Sequence, residues 1–101
     1  MNYDFLNKVR KVCAMLGNYE ERKIDQTKVG DYTISTAYVF DFECYETAIH
    51  KADNDWIVVE HYPTKEESVD GHSKWCDFCK GNPTEVYDIY YKKISKFDEV
   101  S

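Results

Sequence analysis

Three strand-like segments joined by very short polar connections set the strongest limit on how this chain folds. Residues 32–40, 43–51 and 56–62 are rich in the β-branched and aromatic side chains that favour strands. The connections between them are two and four residues long, whereas a parallel crossover needs about a dozen residues or more. The sequence therefore predicts an antiparallel meander. A polar segment at residues 19–28, followed by a turn at residues 29–31, predicts a weak edge strand before it.

A long helix is predicted directly after the meander. Thr64 and Glu67 have the spacing of a capping box, in which the threonine side chain accepts a hydrogen bond from the glutamate amide. The helix is expected to run to about Lys80, because Gly81 and Pro83 then interrupt it.

The two ends of the chain complete the predicted fold. Residues 3–16 place apolar side chains at spacings of three and four, which predicts an amphipathic helix. In the tail, residues 85–92 fit both a strand and a helical spacing, and their tyrosine content favours the strand. The predicted class is α+β, with an N-terminal helix, an antiparallel β-meander of three to five strands, and a long capped helix packed on the sheet. The 101 residues are predicted to form a single domain over residues 1–101.

The charge balance argues against polyanionic partners. Thirteen basic and nineteen acidic residues give a formal net charge of −6, and an acidic surface repels nucleic acid and anionic membranes. The acidic residues are dispersed, which is typical of a solvated surface, and the alternative is one acidic face that mimics nucleic acid. Residues 1–5 lack the features of a signal peptide, and no segment has the composition of a transmembrane helix. We expect a cytoplasmic protein with no membrane partner and no direct nucleic acid binding.

One group of residues has the spacing of a metal site. His72, Cys76 and Cys79 supply the imidazole and thiolate ligands that zinc prefers. A fourth ligand could come from a cysteine or histidine of the predicted strands: Cys44, His50 or His61. The structural alternative is that Val69, His72, Cys76 and Cys79 form one core-facing stripe of the helix, since buried free cysteine is common. The stripe is the favoured interpretation, so no cofactor is predicted and zinc is the alternative.

Gly71 carries a separate signal inside the predicted helix. Glycine in a helix interior costs about 1 kcal/mol relative to alanine, so its presence indicates the close approach of another backbone. The neighbouring His72 is then expected to bond a buried group across the contact between helix and sheet, where Tyr45 and Glu46 are its expected neighbours.

The sequence contains no recognisable catalytic motif. There is no glycine-framed nucleophile, no phosphate-cradling glycine loop and no dinucleotide-binding glycine pattern. The Cys-x2-Cys pair falls near a helix end, where the dipole raises a thiol pKa instead of lowering it. We predict that the protein is not an enzyme.

The tail concentrates tyrosines that a single core cannot all bury. Tyr87, Tyr90 and Tyr91 lie within five residues, and tyrosine is favoured at protein interfaces because it gives a large contact area for little entropy. These three residues are the predicted protein-binding site. The alternative is a sheet that is covered on both faces.

The middle of the chain resembles a group of small uncharacterised proteins from phages and prophages. The resemblance spans about residues 33–76 and rests on the pattern YETA, then Y-x-TKEE, then GH-x2-W, which begins at Tyr45 and ends at Trp75. It implies a phage origin and a bacterial host cytoplasm, and it implies no particular chemistry.

Together these observations predict a phage-encoded accessory protein that binds another protein, with inhibition of a bacterial defence system as the concrete hypothesis. The alternatives are a structural or assembly component of the phage and a small zinc-binding module. A protein partner is expected, and a homo-oligomer remains compatible with the sequence.

Overall fold

The computed structural model describes residues 22–52 and 55–97, so the predicted N-terminal helix over residues 3–16 lies outside them. The described chain forms an antiparallel four-stranded sheet, one long helix and a small two-stranded sheet. In chain order the elements are β1 (Lys23–Val29), β2 (Tyr32–Val39), β3 (Cys44–Lys51), β4 (Ile57–Tyr62), α1 (Lys65–Lys80), β5 (Glu85–Asp88) and β6 (Lys93–Lys96). This arrangement confirms the predicted α+β class.

The four-stranded sheet is the predicted meander, with strand order β1-β2-β3-β4. Gly30 forms the first tight turn with a left-handed φ of 58°, a conformation that glycine adopts without steric cost. A short 3-10 turn over Phe40–Phe42 joins β2 to β3, whose pairing runs without interruption from Tyr32 opposite Lys51 to Val39 opposite Cys44. The weak strand predicted at residues 19–28 is present as β1.

Helix α1 begins and ends where its capping signals predict. The Thr64 side chain accepts a hydrogen bond from the Glu67 amide at 3.2 Å, and the helix ends at Lys80. The helix packs on the sheet, where Ile34, Ile49 and Cys79 are all buried in one apolar core. The predicted packing of a capped helix on the sheet is therefore confirmed.

The tail differs from the prediction of one strand over residues 85–92. Strand β5 ends at Asp88, because the Asp88 carboxylate accepts hydrogen bonds from the amides of Tyr90 and Tyr91 at 2.8 and 3.0 Å and so closes a turn. Lys92 then adopts a left-handed φ of 57°, and the chain returns as β6 beside β5. The hairpin lies against the main sheet, where the Ile89 amide donates to the Val58 carbonyl at 3.1 Å.

Within residues 22–52 and 55–97, the structure has no helix with the length and apolar character needed to cross a membrane.

Candidate protein-binding surface

His72 lies buried at the contact between α1 and the sheet, with both ring nitrogens bonded. Its Nδ1 is 2.7 Å from the Thr36 hydroxyl on β2, and its Nε2 is 2.9 Å from the Thr27 hydroxyl on β1. Burial lowers the pKa of His72, and the nearby Asp25 carboxylate opposes that shift. The prediction that His72 bonds a buried group across this contact is confirmed. The groups are the Thr36 and Thr27 hydroxyls, whereas Glu46, one of the two expected neighbours, bonds His61 and Tyr90.

The polar contact continues from Thr36 through β3 to β4. The Thr36 and Thr47 hydroxyls are 2.6 Å apart, and Tyr62 donates its hydroxyl proton to Thr47 at 3.0 Å. If each hydroxyl donates one hydrogen bond to the next acceptor in this series, Thr36 donates to Nδ1 of His72. The proton of the neutral histidine ring then lies on Nε2. Burial raises the pKa of Tyr62. The chain of bonds therefore joins neutral groups from four elements.

Gly71 faces the ring of Tyr62 at very close range. A Cβ atom built on Gly71 would lie 2.1 Å from the Tyr62 hydroxyl oxygen and 2.3 Å from two of its ring carbons. The predicted close approach is present, but the approaching group is a side chain and not another backbone.

The predicted metal ligands occupy positions in or beside the core. Burial is the main cause that raises the pKa of the Cys79 thiol to about 11, and the nearby Cys76 adds to the shift. Burial also raises the pKa of the Cys76 thiol. Both nitrogens of His72 already have threonine partners. Among the residues that the structure describes, no three His, Cys, Asp or Glu side chains are grouped so that they could hold a metal ion. This geometry does not favour zinc.

The core-facing stripe that was the alternative to zinc is also shifted from its predicted position. His72 and Cys79 are buried, whereas Val69 is exposed and Ser68 is buried in its place. The buried face of α1 is therefore displaced toward Ser68 and Gly71, and the Tyr62 ring lies against Gly71.

The three predicted interface tyrosines do not share one surface. Tyr87 is 48% exposed on β5, and Tyr91 is exposed with its ring 5.3 Å from the Lys93 ammonium. Tyr90 instead points toward the main sheet, where its hydroxyl donates to the Glu46 carboxylate. Glu46 is only 5% exposed and also bonds His61 at 3.0 Å. Tyr90 therefore fastens the hairpin turn to β3, and Tyr87 and Tyr91 remain at the surface.

An open groove of about 420 Å³ lies between α1 and β5. Its lining residues are Lys74, Trp75, Phe78, Glu85, Val86 and Tyr87. Phe78 is 37% exposed, and Ile94, the cross-strand partner of Tyr87, is 53% exposed. Directly opposite residues of a strand pair share a face, so Ile94 extends the apolar surface of Tyr87. We call Trp75, Phe78, Tyr87 and Ile94 the apolar patch.

The patch has a fixed wall on its helix side. Trp75 donates its ring N–H to the Glu60 carboxylate at 2.8 Å, and its ring packs edge-on against Phe78. Burial favours the neutral acid, but hydrogen bonds from Lys74 and Trp75 prevail and lower the pKa of Glu60. The indole ring is therefore held in place before any ligand binds.

The sequence indicated one member of this patch and missed the others. Phe78 follows Trp75 by three residues on α1 and lies beside the buried Cys79, so its exposure depends on how the helix is rotated. Ile94 lies on a strand that the sequence did not predict. The only available signal was the single apolar Ile94 between Lys93 and Ser95, and this alternation is too short to decide between turn and strand.

A second group of exposed aromatic residues lies at the 3-10 turn. Phe40 is 66% exposed and Phe42 is 50% exposed, and the Phe42 ring lies 5.7 Å from the rings of both His61 and Tyr90. Phe40 does not line the groove between α1 and β5, which makes it a useful reference for the apolar patch.

The fold and surface define a class of protein: an α+β domain in which one helix packs on an antiparallel sheet and a C-terminal hairpin completes an exposed apolar groove. In comparisons with protein-family models, curated proteins and solved structures, nothing matches this chain.

Proposed function

We propose that this protein acts by binding another protein through the apolar patch and does not catalyse a reaction. The observation that carries the proposal is that Phe78 and Tyr87, each more than a third exposed, line one groove, and that the exposed Ile94 lies directly opposite Tyr87. Scattered exposed apolar residues are ordinary, whereas a contiguous apolar patch with a polar rim is typical of an interaction site. Lys74 and Glu85 supply that rim.

The composition of the patch is that of an interface and not of a catalytic pocket. Tryptophan, tyrosine and phenylalanine are enriched where proteins bind one another, and they dominate the binding energy. A thiol nucleophile needs a lowered pKa, whereas burial raises the pKa of Cys44, Cys76 and Cys79.

In the biological part of the proposal, the protein is a phage-encoded accessory protein in the bacterial host cytoplasm, and its partner belongs to a bacterial defence system. Support comes from the resemblance of residues 33–76 to phage proteins, from the small size and from the net charge of −6. The structural support concerns the binding surface alone.

Affinity purification from infected host cells tests the proposal with matched variants. The changes Phe78→Ser and Tyr87→Ser each remove one exposed ring of the patch, and Phe40→Ser removes an exposed ring outside it. Circular dichroism checks that each variant is folded. We expect one partner to copurify with the parent chain and Phe40→Ser, and to be lost from both patch variants. Equal recovery by all four proteins would refute a role for the patch.

A further inference from the structure

Strand β6 is the outer strand of the small sheet. Its ladder partner is β5, and no other strand of the described chain pairs with it. The Phe97 amide donates to the Thr84 carbonyl at 3.0 Å, which makes these two residues a hydrogen-bonded pair. Bonded and non-bonded pairs alternate along an antiparallel ladder, so the backbone groups of Ile94 and Lys96 point away from β5. The edge of β6 therefore presents donors and acceptors at the spacing of a further strand.

The same edge is basic on a chain with a net charge of −6. Lys92, Lys93 and Lys96 are exposed, and within the described residues none of them forms a salt bridge. Lys96 forms no salt bridge even with Glu85, its cross-strand partner. By contrast, Lys74 and Lys80 of α1 are paired with Glu60 and Asp77. Three exposed lysines are thus grouped on β6 and the turn before it, where the acidic residues directly opposite Lys93 and Lys96 are Asp88 and Glu85 of β5.

The apolar patch continues onto this edge. Ile94 faces the same side of the hairpin as Tyr87, which lines the groove with Phe78. A strand added beside β6 would place alternate side chains on that side, next to Ile94. One apolar side chain of the added strand would then reach toward the groove, and neighbouring carboxylates would meet the lysines.

We propose that β6 binds an extended acidic segment of the partner protein as an additional antiparallel or parallel strand, with an apolar side chain of that segment against Ile94 and the groove. This inference rests on the proposed function and specifies the chemistry of the partner. Backbone hydrogen bonds supply affinity in such complexes, and alternate side chains supply specificity.

A second copy of this chain fits the edge poorly. Pairing β6 with its own copy would bring together Lys92, Lys93 and Lys96 of both chains, and like charges on adjacent strands destabilise pairing. Lysine on an edge strand is also a common protection against self-association. The carboxylates of an acidic partner would instead be attracted to these lysines.

Selection from a random peptide library displayed on phage, with the full chain as bait, tests the inference. We expect enriched peptides to alternate Asp or Glu with apolar residues. Synthetic copies should shift the amide resonances of Ile94 and Lys96 in NMR spectra of the labelled protein. Enrichment of basic or uncharged peptides, or no enrichment, would overturn the inference. It would also be overturned if a dT oligonucleotide bound as tightly as the selected peptides and this binding required the β6 lysines.

Variants separate the strand addition from simple patch binding. The double change Lys93→Glu and Lys96→Glu should weaken a selected peptide by roughly tenfold, which is about 1.4 kcal/mol. The control Lys28→Glu alters an exposed lysine of β1, an edge strand of the four-stranded sheet, and should change binding by less than about twofold. Methylation of alternate peptide amides should abolish binding, because it removes the ladder donors.

The outcomes also distinguish this inference from the proposed function. Peptides that require Phe78 and Tyr87 but tolerate amide methylation and the lysine changes would refute strand addition and leave protein binding at the patch intact. Peptides that are indifferent to Phe78, Tyr87 and the β6 lysines would overturn both.

Discussion

The change Gly71→Ala gives the sharpest test of how α1 is seated on the sheet. In an exposed helix interior this substitution stabilises by about 1 kcal/mol, because alanine is the better helix former. Here the new methyl group would lie 2.1 Å from the Tyr62 hydroxyl oxygen, so the buried ring must move. Such overpacking costs about 1–3 kcal/mol. Moving the ring also breaks the Tyr62–Thr47 hydrogen bond, which costs about 1–3 kcal/mol when a buried group is left unpaired.

The two costs exceed the gain in helix propensity, and the expected loss in the free energy of unfolding is about 3 kcal/mol. Urea denaturation followed by the fluorescence of Trp75, which contacts Glu60 beside this site, measures it. The control Gly81→Ala should have little effect, because a Cβ there meets only the Phe78 carbonyl at 3.6 Å. An alanine at position 71 that leaves the protein as stable as the parent would refute the packing argument.

A double-mutant cycle isolates the cause of that loss. The change Tyr62→Leu removes the hydroxyl and the two ring carbons that the new methyl group would meet. In that background, Gly71→Ala should become neutral or stabilising, by up to about 1 kcal/mol. A loss of about 3 kcal/mol in both backgrounds would mean that the Tyr62 ring is not the obstacle.

Three further predictions concern the polar contacts. Burial lowers the pKa of His72 in the folded protein, so the unfolded chain binds the proton first and stability should fall as the pH drops below about 6.5; the variant His72→Gln should show a flatter pH dependence in urea titrations from neutral pH to pH 5. The change Thr64→Ala should cost about 1 kcal/mol by removing the cap of α1, and Thr64→Ser should cost much less, as thermal unfolding would show; equal losses would contradict a capping role. The change Tyr90→Phe removes a donor from the buried Glu46 carboxylate and should speed proteolysis of the hairpin, whereas Tyr87→Phe, at an exposed position of β5, should not.

The meander and α1 could be predicted because their signals are local. Short connections exclude parallel pairing, and Thr64, Gly81 and Pro83 mark the ends of a helix whatever it packs against. The hairpin could only be predicted in part. Strand β6 reads Lys-Ile-Ser-Lys, in which only Ile94 has a high strand propensity, and its pairing depends on the turn that Asp88 closes.

The partners of His72 could not be predicted from the sequence. They lie on β1 and β2, and only the register of both strands places Thr27 and Thr36 beside one helix position. The spacing of His72, Cys76 and Cys79 fits a metal site and a helix face equally well, because residues three and four apart lie close together on a helix. The choice between these readings depends on the rotation of α1, which the contact between Gly71 and Tyr62 sets.

The residues on which the expected phage resemblance rests and the residues of the proposed binding surface are largely different. Thr47, Tyr62, Gly71 and His72 all belong to the resemblance pattern, and they meet at the contact between helix and sheet. Such a pattern describes how this fold packs, which explains why it implies no chemistry.

The patch and the β6 lysines lie almost entirely after residue 76, beyond the resemblance. Trp75 is the exception, and its ring N–H is engaged by Glu60 within the fold. A phage origin and partner binding therefore rest on separate residues of this chain, so failure of one proposal would leave the physical argument for the other unchanged. A relative could keep the helix–sheet contact and replace Phe78, Tyr87 and Ile94, and we would then expect the same fold with a different partner.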